Sequence, residues 1–258
     1  MSRSLEVLFT PAEFAALPQR DLSQTTCVVF DILRATSTMI TALANGAVEI
    51  IPVAEISEAL AIRARRPEVL LAGERNGLRI RAEQTGCTDF DLGNSPREFT
   101  SDKVSGKTIV MTTTNGTRAL RACSAAGQVV IASFLNLGAV AAHLTRAQSE
   151  HLLLVCSGTV DQAALEDALA AGALCDLLWA DYVAGTVADS ALLARDVYRL
   201  KRDDLQGAVQ QARNGRRLSA IPELRDDIPV CLQRDTLAVV AELTSEGRVR
   251  KVTAASCQ

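Results

Sequence analysis

Aromatic residues are scarce: one Trp, two Tyr and six Phe make up 3% of the 258 residues. That leaves few platforms on which single-stranded nucleic acid could stack. No run of Lys or Arg exceeds a pair, and 27 basic against 30 acidic residues give a net charge of −3, so general attraction to a phosphate backbone is missing as well. Nucleic acid is therefore not an expected partner. Only two histidines exist, His143 and His151, too few for a histidine-rich zinc site. Seven scattered cysteines, Cys27, Cys87, Cys123, Cys156, Cys175, Cys231 and Cys257, are odd in number and form no C-x-x-C pair. They read as reduced core residues of a cytoplasmic protein. No apolar stretch has signal-peptide or membrane-span length, so no membrane is expected.

Several catalytic signatures are also missing. No G-x-x-x-x-G-K-[ST] marks a nucleotide P-loop and no G-x-S-x-G marks a serine hydrolase. A phosphatase built on paired aspartates two residues apart is not supported, because Leu33 stands where the second would be. A cysteine phosphatase wants Arg six residues after its Cys, whereas Arg34 follows Cys27 by seven.

What the chain does have is alternation. Short β-branched runs at 26–31, 48–53, 68–72, 108–111, 128–132 and 151–156 are interleaved with Ala/Leu-rich helical stretches at 36–45, 56–65, 116–125, 136–145 and 163–180. This predicts a three-layer α/β/α fold on a mainly parallel or mixed sheet. The chain reads as a single α/β domain over 1–258, or as two closely packed halves of about 1–105 and 106–258. Beyond residue 185 the pattern weakens, which predicts further helices and an edge element with a short strand at 228–232. Two stretches match when Asp31 faces Thr112, Arg34 faces Asn115, Thr36 faces Thr117 and Gly46 faces Gly127. They are either a duplicated β-α-β unit or two ordinary units with Gly after the helix.

In an open parallel sheet the strand-to-helix turns share one edge, where helix N-termini attract anions. The first turn places Asp31 at a strand end, Arg34 three residues on, then Thr36, Ser37 and Thr38. A carboxylate there can hold a divalent cation while Arg and hydroxyls grip phosphate; equally, these residues suit an Asx-turn with helix caps. The second turn packs Thr112, Thr113, Thr114, Asn115, Gly116, Thr117 and Arg118 together, suiting a phosphate or carboxylate cradle, or capping. A third, Ser157-Gly158-Thr159, is expected to start a helix with a Thr159/Gln162 capping box. Glu166 and Asp167 then follow one turn later, facing either a metal or solvent. The segment 73–96 is a long, glycine-rich loop expected to fold over a ligand.

Taken together, VVFDILRATST, AGERNG, DFDLGNSP, TTTNGTRA, SFLN and CSGT followed by LEDALAAGA resemble the 2-phosphosulfolactate phosphatase family, in order from about residue 5 to residue 180. The resemblance implies Mg²⁺-dependent hydrolysis of 2-phospho-3-sulfolactate to sulfolactate and phosphate, a step in coenzyme M biosynthesis, with tolerance for phosphate esters of other 2-hydroxy acids. It marks Asp31, Arg34, Thr36, Glu74, Gly93, Asn94, Ser95, Thr114, Asn115, Gly116, Thr117, Glu166 and Asp167. On this reading Asp31 and Arg34 are catalytic, and Thr36, Asn94, Ser95, Thr114, Asn115, Gly116, Thr117 and Arg118 bind substrate. Asp31, Glu74, Glu166 and Asp167 form an oxygen-rich metal shell, with Asp31 a ligand in preference to a nucleophile. Asp226 and Asp227 are left outside the site. The expected partner is a small anionic phosphate ester, and a homodimer is compatible with the sequence. The alternative from another class is a non-catalytic binding protein for a phosphorylated or dicarboxylic metabolite, using the same turns.

Overall fold

The computed structural model describes residues 3–252; Cys257 lies outside them. Eleven strands form one sheet: β1 (Ser4–Leu8), β2 (Thr25–Phe30), β3 (Glu49–Pro52), β4 (Leu70–Arg75), β5 (Leu78–Arg79), β6 (Thr108–Thr112), β7 (Gln128–Ala132), β8 (His151–Cys156), β9 (Thr186–Val187), β10 (Ala241–Leu243) and β11 (Val249–Lys251). The helices are α1 (Pro11–Ala15), α2 (Ala35–Ala44), α3 (Ile56–Arg65), α4 (Ala82–Thr85), α5 (Ser101–Val104), α6 (Gly116–Ala122), α7 (Leu137–Ala147), α8 (Leu165–Tyr182), α9 (Asp189–Lys201), α10 (Leu205–Gln211), α11 (Arg213–Ser219) and α12 (Asp227–Cys231).

Strand side chains alternate between two faces, as the period of two requires. Val28, Phe30, Val130, Ala132, Leu152 and Leu154 enter one core with α7, α8 and α9. Cys27, Val29, Val129, Ile131, Leu153 and Val155 point the other way, into a core shared with α2 and α6. A third cluster covers the other end of the sheet beneath α3, built on Leu71, Val110 and Ala59. Helices cover both faces, so the expected three-layer α/β/α architecture is the one observed, on a mixed sheet.

The strand order is β5-β4-β6-β3-β11-β10-β7-β2-β8-β1-β9. On one side β7, β2, β8, β1 and β9 run parallel; on the other β3, β6 and β4 run parallel. Between them lies the β10–β11 hairpin, antiparallel to each neighbour and within itself. Three antiparallel steps leave the two halves running in opposite senses along the ladder. Beyond residue 185 the expected edge element is β9, paired only with β1 at the end of the sheet, whereas the last two strands form a hairpin that joins the half-sheets at the centre. Glu49 of β3 fastens it, accepting from Arg248 at 2.8 Å and from Arg250 at 2.6 Å. The sequence of this hairpin is too polar and too short to signal a central strand, because only one face of each strand is buried.

The predicted strand at 228–232 is instead the short helix α12. Pro229 has no N–H to give a ladder, whereas in the first turn of a helix that N–H has no partner to lose. The two matching stretches become β2-α2-β3 and β6-α6-β7. Each unit starts in one half and ends in the other, and the first strand of each pairs in parallel with the last strand of its counterpart. Helix α2 packs on β7 and α6 on β2. The starts of α2 and α6 meet, with Ala35 and Asp31 set against Gly116.

Candidate active site

Asp31 follows directly on β2 and is 6% exposed. Its backbone N–H donates to Thr36 Oγ1 at 3.0 Å, its carbonyl accepts from the Thr36 N–H at 2.9 Å, and its Oδ1 accepts from the Ala35 N–H at 3.1 Å. Opposite lies the second turn. A Cβ on Gly116 would sit 2.8 Å from Asp31 Oδ2 and 2.7 Å from the Ala35 methyl, so only glycine allows the two helix starts this close. Asp31 and Asn115 thus line one cleft although their strands run oppositely along the ladder. The expectation that the turns meet because all strand ends share one edge is corrected: the half-sheets run oppositely, and the two units cross so that α2 packs on β7, α6 on β2 and the two helices on each other.

Of the residues expected in the site, the cleft is lined by Asp31, Arg34, Glu74, Asn94, Thr114 and Asn115. The Asn94 and Asn115 side-chain oxygens are buried with no partner among the described residues, so each offers an open acceptor. Glu74 Oε1 accepts from the Thr114 N–H and hydroxyl, both at 2.8 Å, and its Oε2 accepts from the Gly77 N–H at 2.6 Å. It thereby ties β4 and the loop after it to the second turn.

The other expected residues have different work. Thr36 and Thr117 are buried and turn their hydroxyls onto the carbonyls of Asp31 and Thr113, so they shape the turns and do not face a ligand. Ser95 donates to Asp227 at 2.6 Å and lines a neighbouring cleft. Arg118 points outward, with its nearest carboxylate, Asp161, at 3.7 Å. Arg34 reaches the cleft wall but is itself held: it donates to Asp227 Oδ2 at 2.6 Å and to the Gly77 carbonyl at 2.5 Å. Asp227, left out by the sequence reading, is fully buried and organises both Arg34 and the Gly93–Ser95 turn.

The third turn departs from its expected capping box. Thr159 and Gln162 pair backbone to backbone across left-handed Val160 and Asp161, Ala164 is the N-cap, and α8 starts at Leu165. Four residues are consumed in a tight reverse turn, which moves Glu166 and Asp167 into the first turn of α8 and into the interior, where they are 1% and 2% exposed. Asp167 accepts from the Ile32 N–H at 2.8 Å, the Gly158 N–H at 3.1 Å and the Ser157 hydroxyl at 3.2 Å. It ties the first turn to the third. Glu166 Oε1 accepts from Asn214 at 2.5 Å while Oε2 is buried without a partner.

Asp31, Glu166 and Asp167 form a buried cluster of like sign, and none has a salt-bridge partner among the described residues. Burial pushes Asp31 up to about 6, with Glu74 and Glu166 adding repulsion, against the Ala35 N–H and Ser157 hydroxyl that favour the anion. Burial raises Asp167 well above the usual carboxylate range, reinforced by Glu166 and Asp31. Glu166 is raised by burial too, opposed by its bond from Asn214. A cation would relieve this, and oxygen donors suit Mg²⁺.

The four-carboxylate shell, however, is not assembled: among the described residues no three His, Cys, Asp or Glu side chains converge to hold a metal. Glu74 and Asp167 already accept from chain donors on both oxygens. Asp31 faces the cleft, whereas Glu166, whose Oε2 is free and whose charge repels that of Asp31, lines a separate pocket with Ala212 and Asn214; Asp31 alone, or with Glu166, fits Mg²⁺ as an ion held by one or two carboxylates and completed by water and substrate oxygens.

Thr159 of the third turn and Asn76 of the long loop line the cleft as well, while Asn214 and Arg217, which also line it, escaped the sequence reading. The only signal was the charged stretch 213–217. Asn214 donates to both Thr159 Oγ1, at 2.8 Å, and Glu166, so α11 closes the cleft from a distant part of the chain.

Residues 12–246 match the family described as 2-phosphosulpholactate phosphatase. A probable 2-phosphosulfolactate phosphatase of Caldanaerobacter subterraneus subsp. tengcongensis is 36% identical over 92% of this chain and 95% of its own length. Proteins of the same description from Symbiobacterium thermophilum, 37% identical over 90% of this chain and 96% of theirs, and Thermotoga petrophila, 42% over 79% and 74%, are similar as well. With the match running through nearly the whole chain and every turn that lines the cleft, this chain belongs to the 2-phosphosulpholactate phosphatase family of phosphoric monoester hydrolases.

Proposed function

We propose that the chain hydrolyses the phosphomonoester of a small 2-hydroxy acid, 2-phospho-3-sulfolactate to 3-sulfolactate and phosphate, with Mg²⁺ held at Asp31 and Glu166. The observation that carries this reading is the buried, uncompensated carboxylate cluster opening at Asp31 onto a cleft walled by amide, hydroxyl and guanidinium groups. The names of the relatives support the substrate. They also give the non-catalytic alternative no support.

Hydrolysis adds the hydroxyl of water to phosphorus, breaks the ester P–O bond and leaves a proton on the departing oxygen. Mg²⁺ supplies positive charge against the negative charge that phosphoryl transfer concentrates on the transferring oxygens. The chain's own residues position. Arg217 and Asn115 bind and orient the phosphoryl oxygens, while Asn214, whose amide hydrogens are taken by Thr159 and Glu166, and Thr114, held by Glu74, fix the walls around them. Arg34, fixed by Asp227, holds the wall formed by Gly77, and Asp167 keeps the Asp31 turn in place against β8. Asp31 acts as ligand, since Leu33 replaces the second aspartate that accompanies an aspartyl nucleophile and neither histidine lies in the cleft. A cytoplasmic location and a role in coenzyme M biosynthesis belong to the same reading.

Phosphate release from a panel of 2-phospho-hydroxy acids, with Mg²⁺ and then with EDTA, tests the proposal. Turnover is expected with the metal and is lost in EDTA. Undiminished turnover after complete metal removal contradicts the metal role, and labelled phosphate on Asp31 in acid-quenched protein makes Asp31 the nucleophile.

A further inference from the structure

Helix α9 follows the edge strand β9 and is apolar on two sides. Ala191, Ala194 and Tyr198 are buried where it packs against α8 and β1. A surface helix ordinarily turns a polar face away from its core stripe. Here Leu192, Leu193, Val197 and Leu200 lie outside the core, with Leu193 61% and Leu200 78% exposed. Leu193, Val197 and Leu200 are spaced i, i+4 and i+7, so they form one stripe of two turns. Of the nine large apolar side chains exposed among the described residues, six belong to α8, α9 and the turn between them. Such a concentration at one end of a molecule marks an interaction surface.

The charges on the stripe identify its occupant. Asp196 lies three residues after Leu193 and four before Leu200, hence on the same face, and it has no ion-pair partner among the described residues. Arg199 has only Asp176 at 3.8 Å, a carboxylate already held by Arg195 at 2.9 Å. A second copy of α9, laid antiparallel about a two-fold axis between Asp196 and Val197, sets each Leu193 against Leu200 of the other copy. In that register Asp196 faces Val197, and Arg199 of the other copy lies two residues, about 3 Å, further along the axis. Each unmatched acid thereby meets an under-matched base, twice over, as the self-complementarity of an isologous interface requires. A lipid surface would instead bury Asp196 at its apolar boundary without a partner.

We propose that α9 is the interface of a homodimer, paired antiparallel through Leu193 and Leu200 and through ion pairs between Asp196 of one copy and Arg199 of the other. Helix α9 supplies no residue to the cleft at Asp31, so dimerisation and turnover are separable. The interface stands independently of the phosphatase reading.

Sedimentation equilibrium of the full chain, at concentrations up to about 100 µM, tests the proposal. Wild type is expected as a dimer. Leu193→Glu/Leu200→Glu is expected to be folded and monomeric, with self-association weakened at least about a hundredfold and kcat unchanged. Should that pair fail to fold, Leu200→Gln at the most exposed position of the stripe is expected to weaken the dimer about tenfold. Asp196→Arg sets like charges together and is expected to cost about tenfold, while Asp196→Arg/Arg199→Asp restores association to within about threefold of wild type. A wild-type monomer, a dimer that survives the leucine substitutions, or a charge swap that fails to restore association overturns the proposal. Co-sedimentation of wild type with phosphatidylcholine vesicles, absent in the leucine variant, overturns it as well and assigns the stripe to lipid.

Discussion

The turns after β2 and β6 are built alike and do opposite things. Each follows an apolar strand and opens a helix, and in the register that sets Asp31 against Thr112 and Arg34 against Asn115 the helix starts Ala35 and Gly116 coincide. The first holds a buried carboxylate, a buried guanidinium paired to Asp227 and a ring of backbone bonds. The second contributes no charge to the cleft: Thr114 is exposed, Asn115 has an unpartnered oxygen, and Gly116 removes the side chain that would strike Asp31. The difference teaches that two β-α-β units of like layout can divide a site between them, one supplying ionisable groups and the other supplying room and hydrogen bonds. Asymmetry of chemistry sits on symmetry of backbone.

If the first turn depends on its buried ion pair, Asp227→Ala should cost about 3–5 kcal/mol of stability, because Arg34 is left charged and unpaired. Denaturant unfolding checks this; a loss below about 1 kcal/mol would show that Arg34 finds another partner. The buried Asp31 should also cost stability when it ionises. Its carboxyl is raised from the usual 3.8 to about 6, so its contribution is fully present below 3.8 and is lost as pH rises through 6. In EDTA, wild type should lose roughly 3 kcal/mol relative to Asp31→Asn between pH 4 and pH 8. Parallel stability curves for the two proteins would contradict the assignment.

Gly116→Ala probes the second turn through the first. The added methyl would displace Asp31 Oδ2 or part the two helix starts. Activity should fall about a hundredfold, the effect of moving a reacting group by about 1 Å. An alanine variant with wild-type kcat would show that the close approach is incidental. The smallest effect is expected of Arg118→Ala, which should leave kcat/KM within about twofold, because Arg118 is exposed and outside the cleft. A tenfold loss would return Arg118 to the substrate site.

Much of this was legible in the sequence because local pattern decides it. Strand and helix periodicity located β2, α3, β7 and β8 almost to the residue, and the polar turns after β2 and β6 announced themselves by packing hydroxyls and amides behind apolar strands. What was hidden depends on contacts between distant residues. Asp227 follows another aspartate in a charged stretch, and only the fold turns it inward to meet Arg34 across 193 positions. Asn214 gains its role from Thr159 and Glu166, 55 and 48 positions away. The central hairpin carries too few apolar residues to outrank an edge strand. Glu74 and Asp167 were expected at a metal because carboxylates bind metals, but both have their oxygens occupied by N–H and hydroxyl groups of neighbouring turns. Composition gives the ligand's charge; hydrogen bonding decides which carboxylates are free to meet it.

The claim on which all of this turns is that Asp31 sacrifices stability for chemistry at the meeting of the two turns. The direct measurement is the initial rate of phosphate release from 2-phospho-3-sulfolactate at pH 7.5 with saturating Mg²⁺, for wild type and Asp31→Asn side by side, with both shown to be folded. The account predicts a variant at least as stable as wild type in EDTA and slower by about 10³-fold or more. A folded Asp31→Asn that releases phosphate at the wild-type rate would contradict it.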